Sequence, residues 1–340
     1  MMINQRLFDH YGIDTTKDMG IKTNCPRPFD TLLIDKQGSC YACECQSWFP
    51  QSIGNLQVHS IDQILNSEIV TQLRSSILDG TYRYCNNKHC AWLLDRKNPP
   101  PWRTEVPTAS IKNLRLAIDD SCNLRCPSCR TSLIYHKSGS RFELGIKLAN
   151  IINTWLQTHQ TPVRVHIGSD GDPFASHVYR HFMKNTPERP HIHYSILTNA
   201  LMLKEFHHHV PHIMRNLKEL GVSIDGASKS TYERTRVGGK WEKIVENLEF
   251  VSRLKQTHRF DFLIHFVVQK NNYHEMPAIA ELGRKYGADK VCLNRLTDWQ
   301  TYEDFSAHDV VHHAHPEHKK FLKIFSDIKT NDNFLEYATL

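Results

Sequence analysis

The stretch Leu114-Arg-Leu-Ala-Ile118, followed closely by Asp120-Ser-Cys-Asn-Leu-Arg-Cys-Pro-Ser-Cys-Arg130, carries the reading of the fold. Its first half is a short apolar run of strand type. Its second half sets Cys122, Cys126 and Cys129 at C-x3-C-x2-C spacing on the loop that follows. With ten cysteines in 340 residues, chance gives that spacing in about one such chain in a hundred. Three thiolates this close can hold three corners of a [4Fe–4S] cluster, which ordinarily takes four cysteines, so that one iron stays open. The competing readings are a zinc knuckle short of its fourth ligand and inert buried thiols. The nearest further zinc ligand, His136, stands seven residues beyond Cys129.

Outward from this loop the chain alternates regularly. Strand-like runs are expected at Leu114–Ile118, Val163–Ile167, His193–Leu197, Leu220–Ile224, Phe262–Val268 and Lys290–Leu296, with helical patterns between them. Leu144, Leu148, Ile151, Ile152 and Trp155 share one helical face, as do Trp241, Ile244, Val245, Leu248 and Val251. Six β-then-α units in series predict an α/β fold on a parallel sheet with right-handed crossovers. Chemistry in such folds sits on the loops after the strands, which is where the three cysteines fall.

Composition sets the class: 40% hydrophobic residues, 23% charged, a formal net charge of +6 and 22 histidines. No run of 18 apolar residues occurs and residues 1–20 lack a signal-peptide core, so a cytoplasmic, non-membrane protein is expected. Cysteines there stay reduced, which points the ten toward metal rather than disulfides. No Lys/Arg block or nucleic-acid signature appears, so nucleic acid is not an expected partner.

The cysteine loop resembles the signature of the radical S-adenosylmethionine (radical SAM) enzymes. That resemblance implies a partial (β/α)6 barrel with Cys122, Cys126 and Cys129 on the cluster and S-adenosylmethionine chelated by its open iron. It extends to later loops. Asp170-Gly171-Asp172-Pro173 stands where the family usually has Gly-Gly-Glu-Pro to receive the methionine amine. Thr198-Asn199 and Ser223-Ile-Asp225, at the ends of the third and fourth strands, look like the family's ribose and carboxylate contacts; each also suits a helix N-cap. Ser128 stands where an aromatic residue usually lies near adenine. The activity implied is cleavage of S-adenosylmethionine to a 5′-deoxyadenosyl radical that abstracts hydrogen from an unactivated C–H bond.

Ahead of the barrel, six cysteines crowd into the N-terminal part, with Cys25-x14-Cys40-x2-Cys43-x-Cys45, Ile53-Gly-Asn-Leu56 and Cys85-x4-Cys90. This part resembles the opening of a SPASM or twitch domain, the auxiliary-cluster module of many radical SAM enzymes. The resemblance implies a second [4Fe–4S] cluster on Cys25, Cys43, Cys85 and Cys90, with Cys40 and Cys45 either spare or one of them standing in for one of these four. A four-cysteine zinc ribbon is the alternative. The expected organisation is an N-terminal segment 1–24, the cysteine module 25–95, a Pro-rich linker 96–110, the barrel 111–300 and a C-terminal helical extension 301–340.

The substrate classes implied are a peptide to be oxidised, crosslinked or epimerised, or a sugar-like small molecule, with an electron donor such as flavodoxin or ferredoxin. Only 24 residues precede Cys25, which tilts against a leader-dependent peptide enzyme. The rivals are group transfer to RNA and a non-catalytic iron–sulfur or zinc scaffold on a degenerate barrel. Cys292 reads as a buried strand residue, and the stretches His207–His209 and His312–His318 as surface.

Overall fold

The computed structural model describes residues 3–22, 24–44, 46–88, 90, 93, 109–329 and 334–337. Cys45 and nearly all of the expected linker 96–110 lie outside the described residues. The chain divides into two compact units, the first built from residues 1–119, 138–170 and 185–193, the second from 120–137, 171–184 and 194–340.

In the first unit, β1 (Thr31–Asp35), β2 (Ser39–Tyr41) and β3 (Gly54–Asn55) form an antiparallel meander. β4 (Asn113–Ala117) runs parallel to β1, with Leu33 opposite Arg115, and β5 (Val163–Ile167) runs parallel to β4, with Arg115 opposite His166. The module's first strand is therefore hydrogen-bonded to the strand that leads into the cysteine loop. Period-two alternation sets the faces. Leu32, Ile34, Leu114, Leu116, Val165 and Ile167 are buried on one side, and Leu33, Arg115, Arg164 and His166 stand on the other. Helix Ile61–Leu65 starts from a complete capping box in which the Ser60 hydroxyl accepts from Gln63 N and the Gln63 side chain accepts from Ser60 N.

The second unit carries most of β6 (Ile192–Thr198), then β7 (Leu217–Ser223), β8 (Asp261–Val268), β9 (Lys290–Arg295) and β10 (Leu335–Tyr337). Each runs parallel to the next. Phe262, Ile264, Phe266 and Val268 of β8 are fully buried, each such side chain contributing roughly 1.5–3 kcal/mol of burial free energy. Helices Trp241–Thr257 and Met276–Lys285 fill the crossovers, the latter ending before Gly287, whose φ of +74° is left-handed. The chain is thus a mixed α/β protein on parallel strands, as the alternation predicts. All six expected strands form, each within three residues of the expected bounds.

Candidate active site

The cysteine loop lies in the second unit and is held from four directions. Cys122 N donates to Ile134 O at 2.9 Å, Arg125 N to Val237 O at 2.9 Å, and Asp172 N to Ser121 O at 2.8 Å. The Asn199 Nδ2 amide donates to Asn123 Oδ1 at 2.8 Å. The loop's geometry is therefore fixed by the segments after β5, β6 and β7, the ends of the strands where the α/β plan puts chemistry.

The three thiols are free, Cys122 and Cys126 buried and Cys129 exposed. Donors converge on their sulfurs: Leu124 N at 3.4 Å and Asn199 Nδ2 at 3.6 Å on Cys122, Arg236 Nη1 at 3.9 Å on Cys126, and Arg130 Nη2 at 3.6 Å on Cys129. Burial pushes the Cys122 thiol up to about 12, and burial likewise raises Cys126 against the pull of Arg236. Two guanidiniums and several N–H donors around these sulfurs suit anionic, metal-bound thiolate better than neutral thiol. The donor set fits an iron–sulfur cluster.

Asp172, fully buried, does not aim its carboxylate at a ligand. Oδ1 accepts from Phe174 N and Ala175 N at 3.0 Å each, and Oδ2 from Thr198 Oγ1 at 2.7 Å and Asn199 N at 2.8 Å. It thus clamps the loop after β5 to the loop after β6. Burial raises its carboxyl above the usual range while these four donors oppose the shift. Thr198 is consumed in the same clamp and also accepts from Ala200 N, while Asn199 Oδ1 accepts from Leu201 N. Gly171 has φ +67°, a conformation glycine adopts freely, and Asp170 is exposed beside it. Pro173 is buried and Ser223 is half-buried at the end of β7.

Asp225 follows β7. Its carboxylate accepts from Val267 N at 2.9 Å and pairs with Arg236 Nε at 2.9 Å, Asp225 buried and Arg236 half-buried. Gly226 beside it has no room for a side chain, because a Cβ there would sit 2.4 Å from Tyr232 N. Arg236 was invisible to sequence pattern, since no spacing marks a single arginine at a helix end. Tyr302 also went unseen; its hydroxyl donates to Gln269 at 3.1 Å, its ring stacks on His308, and burial, with Asp225 and Cys126, pushes it up to about 12.

In the first unit Cys25, Cys43, Cys85 and Cys90 line one small cavity together with Trp48, Phe49 and Tyr82. Burial raises Cys85, and the nearby Cys25, Cys43 and Cys90 add to it. Burial pushes Cys25 up to about 12, and the Tyr82 hydroxyl accepts from Cys25 N at 2.8 Å. Four thiols on one cavity, Cys90 buried and the other three half-buried, none in a disulfide, fit a thiolate-ligated metal group. Cys40 stands apart on β2, buried, its sulfur donating to Gly38 O at 3.7 Å.

Three cysteines on a loop of a parallel α/β frame, preceded in sequence by a four-thiol module, define an iron–sulfur class of protein. Residues 118–283 match the model of the radical SAM superfamily, and residues 25–91 that of the SPASM iron-sulfur cluster-binding domain. The chain thus carries a radical SAM domain, with a SPASM domain ahead of it in sequence. These matches bring a [4Fe–4S] cluster, S-adenosylmethionine and auxiliary iron–sulfur binding. Among curated relatives, a probable GTP 3′,8-cyclase of Methanococcus maripaludis strain C5 is 24% identical over 52% of this chain and 57% of its own length. A GTP 3′,8-cyclase of Alkaliphilus metalliredigens is 26% identical over 44% of this chain and 45% of its own. The chain thus spans about half the length of the curated relatives it matches. Streptococcus suis SuiB bound to precursor peptide SuiA aligns at TM-score 0.47 and 11% identity, over 66% of this chain and 48% of that one. Among the described residues no helix is long and apolar enough to cross a membrane.

Proposed function

We propose that the chain is a radical SAM enzyme that abstracts hydrogen from a C–H bond of a peptide or sugar-like substrate, leading to oxidation, crosslinking or epimerisation. The observation that supports this most is the set of three free thiols, Cys122, Cys126 and Cys129, each met by an N–H donor and with no fourth cysteine on the loop. When bound there, a reduced [4Fe–4S] cluster supplies the electron that cleaves S-adenosylmethionine to the hydrogen-abstracting 5′-deoxyadenosyl radical.

The chain's own residues bind and orient. Leu124 N and Asn199 steady the Cys122 sulfur, and Arg236 offsets negative charge at Cys126. Asp172 holds the loops of Gly171 and Asn199 in register, so that backbone at Asp170–Pro173 faces the methionine amine. Thr198, Asn199, Ser223 and Asp225 edge the ribose and carboxylate. Cys25, Cys43, Cys85 and Cys90 would hold the auxiliary cluster, which would supply an electron acceptor for a net oxidation. An acidic donor of flavodoxin or ferredoxin type supplies electrons in the cytoplasm, attracted by the net charge of +6.

The test is mass spectrometry for 5′-deoxyadenosine after anaerobic incubation with S-adenosylmethionine and dithionite. The product is expected from the reconstituted protein and not from Cys126→Ala. A fully reconstituted protein that makes none would give the lead to the scaffold reading.

A further inference from the structure

Within the first unit, one face of the sheet is basic in a way the cluster sites do not use. Arg115 on β4 sits between Leu33 of β1 and His166 of β5, and Arg164 is two residues before His166 on the same face. Arg115 Nε is buried from solvent and makes no hydrogen bond among the described residues. A buried donor left in that state destabilises the fold, so the molecule gains when something supplies an acceptor. No ion pair to an acid is found for Arg115 or Arg164 among the described residues, whereas the neighbouring Arg27 is already held by Glu44 at 2.8 Å. The acid on the same face, Asp35, is occupied by the Gln37 and Ser39 amides at 2.9 and 2.8 Å.

Burial, then Arg115, Arg164 and Arg27 together, push His166 down to about 3, so its ring is neutral at physiological pH. Its Nε2 lies 3.5 Å from Asn113 Oδ1, a contact long enough to be exchanged for a better one. Arg164 is exposed, and Arg115 and His166 are half-buried beside it.

We propose that Arg115, Arg164 and His166 form an oxyanion site that takes the phosphoryl group of a phosphorylated small molecule. Two guanidiniums match the charge of a phosphate dianion, and their forked N–H groups match its oxygens. The proposal goes beyond the radical reading above, because binding here needs neither cluster turnover nor S-adenosylmethionine.

Calorimetric titration of inorganic pyrophosphate into the reconstituted protein tests it. Wild type is expected to bind. Arg115→Gln is expected to weaken binding by about tenfold or more, Arg115→Lys by less, and Arg164→Gln by about fivefold, at unchanged iron content. Arg164 is exposed, so Arg164→Gln decides the matter if Arg115→Gln fails to fold. No binding by wild type, or wild-type affinity in the glutamine variants, overturns the site. Malonate binding as tightly as pyrophosphate overturns the phosphoryl assignment. The 5′-deoxyadenosine assay is read separately, so failure of one proposal leaves the other standing.

Discussion

Arg236 joins Asp225 to Cys126: its Nε is 2.9 Å from Asp225 Oδ2 and its Nη1 is 3.9 Å from the Cys126 sulfur. The three residues belong to three different segments, the loop after β7, the end of helix Lys229–Thr235 and the cysteine loop. A backbone bond runs alongside, from Arg125 N to Val237 O. Burial of a charged pair is costly, and it is offset here by further bonds to the same carboxylate. Asp225 and Cys126 in turn hold the guanidinium charged: both raise its proton affinity, against the burial that lowers it.

Removing Arg236 alone leaves a buried carboxylate without its cation, so Arg236→Met is expected to lower unfolding free energy by about 3–5 kcal/mol. Urea unfolding of the apoprotein measures it. The double variant Asp225→Leu/Arg236→Met is expected to recover much of the loss, because no charge then stays buried unpaired. A single variant as stable as wild type would mean that the pair carries no structural weight.

The six central strands were legible because buried parallel strands read as short apolar runs between helical periods, and Phe262–Val268 is such a run. β1 was missed although Leu32-Leu33-Ile34 is apolar, because its partner Leu114–Leu116 lies beyond the Pro-rich stretch and no local period encodes a distant pairing. β10 is only three residues long and follows a helix that dominates the pattern there. Cys122, Cys126 and Cys129 were legible from their spacing, whereas Cys25, Cys43, Cys85 and Cys90 were legible only through the resemblance of their segment to an auxiliary-cluster module. Asp172 was legible as a position, but only coordinates show its carboxylate turned onto Thr198 and Asn199. Arg115 hid inside the same five-residue strand that announced the fold.

His166 gives a pH dependence with a definite sign. Its ordinary value is 6.5 and the folded value is about 3. A base whose affinity for protons falls on folding contributes stability above its unfolded value, and that stability is lost as pH falls through the window from 6.5 toward 3. Between pH 7 and pH 5 the loss is about 2 kcal/mol. His166→Gln is expected to remove this part, so that the gap between the two unfolding free energies changes steadily as pH is lowered. Curves that stay parallel from pH 7 to 5 would show that His166 titrates normally when folded.

The cysteine module separates ligand from bystander by where each sulfur sits. Cys85 shares a cavity with Cys25, Cys43 and Cys90, whereas the Cys40 sulfur turns to the Gly38 carbonyl on the meander and does not line that cavity. The Cys40 sulfur is engaged with that carbonyl and stands off the cavity, so Cys40 is expected not to ligate the cluster. With two [4Fe–4S] clusters the reconstituted protein is expected to hold about eight irons. Cys40→Ala is expected to keep about eight, and the triple Cys122/Cys126/Cys129→Ala variant about four. Cys85→Ala removes a thiolate from the closed set, so it is expected to fall toward four irons while still cleaving S-adenosylmethionine. Iron analysis beside the 5′-deoxyadenosine assay reads both. A triple variant without iron would eliminate the second cluster, and zinc in its place would turn the module into a structural ribbon with no electron to accept.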